Sequence, residues 1–529
     1  MNIHNQFIDP STCKQAISCN FTGPTSKNII VSKDTILQIF ELIERQEDYN
    51  EDSDDLNKKE NLTDNANEAE SFISGELNTQ LQKKSYKISL ISEYKLNGSI
   101  TNITKFRSNE NENIDYLIIC TKIAKLSIIH WDRSKNSIST VSLHYYEPIM
   151  SNLCFEKFED HEVTQRTDPG SLCSVLEIRG LFTFLPFYHD FMDNDAVEDD
   201  IEMAIEDAEI KNNDEGPEKK LRKVDSGNKT SSSKSSSSST IEEAPKNKLR
   251  TKKLYNSSFI LGSSSLHTDL KNVVDFGFLH SYREPTMAIL YSPKTVTWAG
   301  NLSRGKDNMQ VVVLSLDLES KRSTPIIELF DLPYDLEIVQ PLPSPINGFL
   351  LIGCNEIIHV NSIGSARGIA VNSYYQKCSN FQIKDQSALE LDLAGCAIEY
   401  IGGDQMLLIT EEGKLYSVLF EKIGGSSNIT EIKEIDSKNY EGITINQPTS
   451  MTGFPDLNCL FLTCQGSDSL LLGWESEESD VGSSMGQATE TKNSRKKEDN
   501  KKETDEAPED MDDDSCIIVL KIYKIRFVN

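Results

Sequence analysis

The sequence predicts an all-β protein, a degenerate (non-WD40) β-propeller of about seven four-stranded blades. On the order of 25 short runs are rich in β-branched and aromatic residues and are separated by turn residues. Almost no run has the length and periodicity of an amphipathic helix. Because radially repeated sheets share one ring-shaped core, a single propeller can account for 529 residues. A large β-sandwich is the alternative.

Two apolar runs open the chain. Residues 29–31 predict a strand, and residues 37–42 predict a strand or a short helix, because periodicity cannot decide at this length. Residues 46–84 are polar and acidic, with too few apolar side chains to offset the entropy lost on ordering. We interpret residues 46–84 as a disordered insertion.

Strand patterns return after this insertion. The predicted strands are residues 86–94, 100–106, 116–121, 125–131 and 138–143. Each of these runs ends in Gly, Asn, Asp or Ser, which favour turns.

Residues 190–253 predict a second disordered insertion. Their composition is acidic, then basic, then serine-rich, then basic again, and it cannot pack a core. The two basic clusters have the layout of a bipartite nuclear-import signal, and the alternative is charge compensation in a solvated loop. The residues of this candidate signal are Lys219, Lys220, Arg222, Lys223, Lys246, Lys248, Arg250, Lys252 and Lys253.

Residues 276–318 show the blade pattern most clearly. Their apolar runs are separated by Glu284-Pro285, Ser292-Pro293 and Gly300-Asn301, which are turn sequences that do not fit a helix interior. We predict successive antiparallel strands of one blade here.

The strand pattern continues to residue 475. The predicted strands are residues 326–332, 336–342, 348–352, 357–361, 398–401, 406–410, 414–421, 429–435, 460–463 and 469–474. Tight turns at Cys354-Asn355 and at residues 411–413 predict hairpins inside blades. We predict a propeller over residues 1–475 and an acidic, disordered tail with a short apolar end over residues 476–529.

Charge and cysteine content restrict the class of partner and compartment. Lys and Arg number 54 against 83 Asp and Glu, a net charge of −29, which does not favour general attraction to a phosphate backbone. Eleven scattered cysteines without a Cys-x-x-Cys pair are typical of reduced thiols inside cells. The sequence shows no signal peptide and no apolar run long enough to span a bilayer. We expect protein partners and no membrane.

No catalytic, cofactor-binding or metal-binding residue is predicted. Gly482-Ser-Ser-Met-Gly486 matches the Gly-x-Ser-x-Gly motif, but that motif requires a strand-to-helix turn and this copy lies in the acidic tail. His130 and His144 fit sheet residues better than metal ligands. Cys459 and Cys464 fit core thiols.

The propeller is not of the WD-repeat kind, since the chain has three tryptophans and Trp131-Asp132 is its one Trp-Asp pair. Other segments carry a resemblance: residues 115–131, Leu143-His-Tyr-Tyr-Glu147, residues 168–173 and 182–187, 285–291, 293–301 and 312–317. In these segments the sequence resembles the N-terminal region of the large scaffold subunit of the cleavage and polyadenylation specificity factor, of the fungal type. Its relatives are the large subunit of the damaged-DNA-binding protein and a propeller subunit of splicing factor 3b.

This resemblance implies a nuclear protein-interaction scaffold of the pre-mRNA 3′-end cleavage and polyadenylation complex. It implies that the chain holds a WD-repeat subunit and a CCCH zinc-finger subunit that recognise the polyadenylation signal, and that RNA is contacted mainly through them. The alternative is a propeller that contacts RNA or DNA itself, which needs a basic stripe with aromatic side chains. The family protein continues into two further propellers and a helical domain, so we expect this chain to be a fragment, a truncated gene model or a short form.

Overall fold

Seven β-sheets arranged in a ring make up the computed structural model of this chain. The structure describes residues 12–45, 85–108, 113–122, 125–146, 163–188, 254–293, 306–423, 426–435, 445–477 and 517–524. Within these ranges it contains 29 strands, so the predicted all-β propeller class is confirmed. No helix in this part of the chain is long and apolar enough to cross a membrane.

Each sheet is one blade, built from strands that are consecutive in the chain. Blade 1 contains β1 (Gln15–Cys19), β2 (Asn28–Lys33), β3 (Ile36–Arg45) and β4 (Ser85–Lys95). Blade 2 contains β5 (Ile100–Arg107), β6 (Asp115–Thr121), β7 (Lys125–Asp132) and β8 (Ser137–Tyr145). Blade 3 contains β9 (Thr164–Thr167), β10 (Cys173–Ile178), β11 (Leu181–Pro186) and β12 (Phe259–Gly262).

The second half of the ring follows the same plan. Blade 4 contains β13 (Val273–Phe278), β14 (Thr286–Tyr291), β15 (Asp307–Asp317) and β16 (Arg322–Pro333). Blade 5 contains β17 (Leu336–Pro341), β18 (Phe349–Gly353), β19 (Glu356–Val360), β20 (Ala366–Ala370) and a fifth strand, β21 (Lys384–Asp385). Blade 6 contains β22 (Ala397–Gly402), β23 (Gln405–Ile409), β24 (Leu415–Ile423) and β25 (Ser426–Glu434). Blade 7 contains β26 (Pro448–Phe454), β27 (Cys459–Cys464), β28 (Leu470–Glu477) and β29 (Ile517–Lys524). Two short α-helices of the described residues, α1 (Ser263–Leu266) and α2 (Tyr375–Cys378), lie between strands.

Strands run from the centre of the ring outward in chain order. First strands of neighbouring blades contact one another, as β1 contacts both β5 and β26, so the first strands are the innermost strands. All pairs within blades are antiparallel except β20 with β21, which is parallel. Blades 1 and 7 close the ring side by side, where the Ser18 N–H donates to Thr452 Oγ1 at 2.8 Å.

The hydrophobic core lies between the blades. Seven apolar clusters are present in the described residues, one at each boundary between neighbouring blades. Successive residues of one strand point to opposite faces, so Leu350 and Ile352 of β18 pack toward blade 6 while Phe349 and Leu351 pack toward blade 4. Burial on both faces explains why such strands are continuously apolar rather than alternating.

Most predicted strands are confirmed. The hairpins predicted across Cys354-Asn355 and residues 411–413 are β18–β19 and β23–β24. Residues 37–42 belong to β3, a strand rather than a helix. The strands β1, β9 and β26 were not predicted, because these innermost strands are only partly buried and carry polar side chains. No strand was predicted over β10, β11, β12, β20 or β21 either.

The C-terminal boundary differs from the prediction. The strand β29 pairs with β28 along its whole length and is the outer strand of blade 7. The propeller therefore includes residues beyond 475, and part of the predicted tail is sheet. The apolar run of β29 does not by itself indicate that it pairs with β28, because residues 478–516 separate the two strands in the chain. The predicted disordered stretches at residues 46–84 and 190–253, residues 478–516 of the tail predicted at 476–529, and the segment 294–301 lie outside the described residues.

Candidate interaction surfaces

The predicted import signal lies outside the described residues, as does the Gly482-to-Gly486 motif. The two ends of the segment that carries the signal are nevertheless defined. The Tyr188 N–H donates to the Leu254 carbonyl at 3.0 Å, and the Asn256 N–H donates to the Pro186 carbonyl at 2.9 Å. The chain therefore leaves blade 3 and returns to it at one point, between β11 and β12.

The two histidines considered as ligands lie in blade 2, His130 in β7 and His144 in β8. His144 hydrogen-bonds Ser142 Oγ at 3.0 Å, and its ring meets the edge of the Tyr255 ring with centroids 4.8 Å apart. Burial lowers the pKa of His144, which favours the neutral imidazole. In the part of the chain described here, no group of three or more His, Cys, Asp or Glu side chains could hold a metal ion.

Cys459 and Cys464 stand at the two ends of β27 and are both buried. Burial raises the pKa of Cys459 to about 12 and also raises the pKa of Cys464. The thiolate is the nucleophilic and metal-binding form of cysteine, so both groups are held in their unreactive form. The nine cysteines that the structure describes are free thiols.

Side chains near the centre of the ring link neighbouring blades. Arg166 of β9 pairs with Asp275 of β13 at 3.2 Å, and Asp275 also accepts a hydrogen bond of 2.9 Å from the Val339 N–H of β17. Burial raises the pKa of Asp275, and the charge of Arg166 opposes that shift. Thr104 and Thr167 join blades 2 and 3 through their hydroxyls at 2.7 Å. These links hold the blades as a rigid frame for surface sites.

Several outer strands expose large apolar side chains. They are Leu90 and Ile91 in β4, Leu143 and Tyr145 in β8, and Ile326 and Phe330 in β16. Leu143 and Tyr145 are 46% and 57% exposed and lie two residues apart, so they share one face of the strand. Single exposed apolar residues are normal, but neighbouring ones mark contact surfaces.

A groove of about 560 Å³ follows the outer edge of blade 5 where it meets blade 6. Residues 366–368 of β20 line its base, and Gln382 and Ile383 line the side toward blade 4. The side toward blade 6 is lined by Glu421, Ile429 and Thr430. A Cβ on Gly368 would lie only 2.8 Å from Ile383 Cγ2, so glycine lets Ile383 lie across the strand.

The carboxyl groups of Glu356 and Asp335 lie near each other in blade 5. Glu356 is fully buried, and neither of its carboxyl oxygens nor Asp335 Oδ1 has a hydrogen-bond partner in the described residues. Burial, and then the charge of Asp335, raises the pKa of Glu356 to about 9. Glu356 is therefore protonated at neutral pH, and its proton can be donated to Asp335.

Comparison with known proteins identifies the family of this propeller. A family model described as the RSE1/DDB1/CPSF1 first beta-propeller matches residues 228–502, more than half of the chain. The chain belongs to this family. The match confirms the resemblance seen in the sequence. The matched residues include the strands β12 to β28.

Three curated relatives of this RSE1/DDB1/CPSF1-type propeller are fungal proteins named CFT1 or cft1. Protein CFT1 of Candida albicans is 37% identical over 479 residues, and Protein CFT1 of Debaryomyces hansenii is 33% identical over 475 residues. Protein cft1 of Schizosaccharomyces pombe is 31% identical over 490 residues. Each alignment covers 89% of this chain but only 31%, 31% and 30% of the respective relative. The chain therefore spans about a third of the length of these relatives.

The groove and the buried carboxyl pair were not predicted from the sequence. The groove is formed by residues from two blades, and no local pattern connects them. Glu356 had one available signal, since it is the acidic residue of a strand that is otherwise buried and mostly apolar. An acidic residue in such a run indicates a group that must be protonated or paired.

Proposed function

We propose that this chain is a protein-interaction scaffold of the machinery that cleaves and polyadenylates pre-mRNA. One observation carries the proposal: a ring of seven blades exposes paired apolar side chains on its outer strands. The membership of the RSE1/DDB1/CPSF1 propeller family and the relatives named CFT1 support the assignment to this machinery.

The exposed pair Leu143 and Tyr145 is suited to a protein partner. Burying apolar surface contributes about 25 cal/mol per Å² removed from water. Tyrosine is enriched at protein interfaces because it supplies contact area at a low entropic cost. Lys125 also lies 5.7 Å from the centre of the Tyr145 ring, which keeps the ring oriented on the strand.

The partners we propose are a WD-repeat subunit and a CCCH zinc-finger subunit, and the compartment is the nucleus. RNA is then contacted mainly through these partners, since the net charge of the chain is −29. The chain itself has no catalytic role in this proposal. The import signal at Lys219 to Lys253 would bring the chain to the nucleus.

A pull-down with the purified full chain tests the scaffold function. The WD-repeat and zinc-finger subunits should be retained, and the double variant Leu143→Ser, Tyr145→Ser should reduce retention at least about tenfold, as expected for losing interface anchors. Thr140→Ala is the matched control, because Thr140 is exposed on the same strand and should leave retention unchanged. Retention of neither subunit would contradict the proposal.

An RNA titration at physiological salt separates the scaffold from direct nucleic-acid recognition. The chain without partners should bind RNA weakly, with a dissociation constant well above about 1 μM. Sub-micromolar binding by the chain alone would favour a propeller that contacts RNA directly.

A further inference from the structure

The outer strands of the first four blades are inclined around the rim, so that the end of one lies against the start of the next. The Tyr94 hydroxyl, near the end of β4, accepts a hydrogen bond of 3.2 Å from the Ile138 N–H at the start of β8. Ser323 Oγ, at the start of β16, donates to the Leu266 carbonyl just after β12 at 2.6 Å. Twisted sheets produce this inclination.

The inclination turns one side of each outer strand toward one end of the ring. A fourth strand ends where the first strand of the next blade begins, and we call this end of the ring the top face. The end of each outer strand therefore covers the start of the next from the top-face side. Beyond that covered start, the side that an outer strand turns toward the preceding blade faces the top.

The exposed apolar side chains of blades 1 to 4 share this side. Leu143 aligns through Ser127 with Ile119, which packs between blades 1 and 2. Paired residues share a face, so Leu143 and Tyr145 turn toward blade 1 and the top. The same register argument assigns four exposed residues of other outer strands to the top face. They are Leu90 in β4, Ile260 in β12, and Ile326 and Phe330 in β16.

The opposite end of the ring carries the long acidic connections. Antiparallel strands reverse at alternate ends, so the connections between third and fourth strands lie away from the top face. Residues 46–84 in blade 1, 189–253 in blade 3 and 478–516 in blade 7 are all connections of this kind. Asp and Glu outnumber Lys and Arg in them, by 11 to 4, 16 to 12 and 13 to 6. An acidic partner is therefore repelled from that end.

The top face of blades 1 and 2 has the opposite charge. Lys95 ends β4, Lys122 follows β6 and Lys125 begins β7, so all three lie at the top of these blades. Lys125 also lies 5.7 Å from the centre of the Tyr145 ring. A segment bound beside Tyr145 would therefore meet cations next to apolar side chains.

Two acidic side chains at the top of blade 1 already have partners within the chain. Asp34 accepts a hydrogen bond of 2.9 Å from Lys14 Nζ. Glu93 accepts one of 2.6 Å from Gln38 Nε2. These carboxylates reduce the positive charge of the region but leave Lys122 and Lys125 to attract an acidic ligand.

We infer that the top face of blades 1 and 2 docks a segment of a partner protein that combines large apolar side chains with Asp or Glu. Leu90, Leu143 and Tyr145 supply the apolar contacts, and Lys122 and Lys125 supply the charge. Single-stranded nucleic acid fits less well, because base stacking requires aromatic platforms and most of the exposed side chains are aliphatic. The inference deepens the proposed scaffold function and rests on it.

A fluorescein-labelled peptide built of leucine and aspartate is the probe for this surface. Fluorescence anisotropy with the full chain should show saturable binding. The double variant Leu90→Ser, Leu143→Ser should weaken binding at least about tenfold. Ile43→Ser is the matched control, because Ile43 is 44% exposed, against 46% for Leu143, but lies near the end of β3 at the opposite end of the ring. It should bind as the parent chain does.

Charge reversal tests the cationic part of the surface. Lys122→Glu should also weaken binding of the leucine–aspartate peptide at least about tenfold and should gain binding to a leucine–lysine peptide. Arg133→Glu is the control, because Arg133 is exposed in the turn between β7 and β8, at the other end of blade 2. Thermal unfolding should give the parent temperature for all four variants, since each change is on the surface.

Three results would each overturn the docking surface: no saturable binding, binding unchanged by the top-face variants, or an equal loss in Ile43→Ser. Tighter binding of a fluorescein-labelled oligouridylate, lost in Lys122→Glu, would assign the surface to nucleic acid instead. The assay contains no other subunit, so its failure would leave the pull-down test of the scaffold function intact.

Discussion

At the scale of single residues, Glu356 shows how this chain keeps a carboxyl group inside a propeller. Ionising a buried carboxyl without a partner is costly, so such groups hold their proton. The neighbouring Asp335 accepts a hydrogen bond from Asn355 Nδ2 at 2.5 Å and leaves its other oxygen for the Glu356 proton. The pair is therefore stable with one proton and loses stability when that proton dissociates.

We expect Glu356→Gln to make the protein more stable at neutral and alkaline pH. The pKa of Glu356 is raised to about 9 in the folded chain, so the folded state holds a proton that the unfolded state releases above its ordinary pKa. Stability should then fall as pH rises, by about 3 kcal/mol between pH 5 and 7.5 from this group. Glutamine cannot ionise and its amide can donate to Asp335. Denaturant unfolding at several pH values measures the difference.

Glu434→Gln is the control, because Glu434 is exposed on β25. It should leave the pH dependence of unfolding as it is in the parent chain. A Glu356→Gln variant with the same pH dependence as the parent would contradict a buried, protonated Glu356.

At the scale of elements, tight turns decide where hairpins reverse. The turn from β23 to β24 uses Gly413 at φ +85°, and the Gly413 N–H donates to the Thr410 carbonyl at 2.8 Å. A Cβ at this position would lie 2.1 Å from the Ile445 carbonyl oxygen, at the start of blade 7. The glycine is thus required by its dihedral angle and by a neighbouring backbone.

We expect Gly413→Ala to destabilise the chain by about 3 kcal/mol or more, from left-handed strain and overpacking together. Gly403→Ala is the matched control, since Gly403 has φ +58° and nothing lies within 4 Å of its Cβ position. The control should lose only about 1 kcal/mol, from the dihedral strain alone. Thermal unfolding of both variants separates the cost of dihedral strain from the cost of the close contact. Equal losses of stability would show that the close approach to Ile445 is unimportant.

At the scale of the whole molecule, two long-range segments differ in whether a blade needs them to be complete. Blade 3 closes across the ends of the long segment, because Phe187 and Tyr255 form a bridge beside the Tyr188–Leu254 hydrogen bond. A two-residue turn fits between Tyr188 and Leu254, as in a tight hairpin. Blade 7, in contrast, takes its outer strand from residues 517–524.

We expect replacement of residues 189–253 by Asn-Gly to leave the unfolding temperature almost unchanged and to abolish nuclear import. A fluorescent fusion of this variant should remain in the cytoplasm, as should one with the nine basic residues changed to alanine. Deleting residues 517–529 is the comparison. It should destabilise the chain because β28 loses the strand β29 that pairs with its outer edge. Nuclear accumulation of both import variants would disprove the signal, provided that the WD-repeat partner is absent.

Most strands of the middle layers and their turns could be predicted from the sequence, because those features depend on neighbouring residues. Buried strands such as β18 and β27 are continuous apolar runs, and Gly413 stands where a tight turn was predicted. Three features follow from tertiary contacts alone: β29 completes blade 7, Glu356 is buried near Asp335, and residues 366–368 border a groove. These outcomes depend on contacts between segments far apart in the chain, and side-chain periodicity carries no information about such partners.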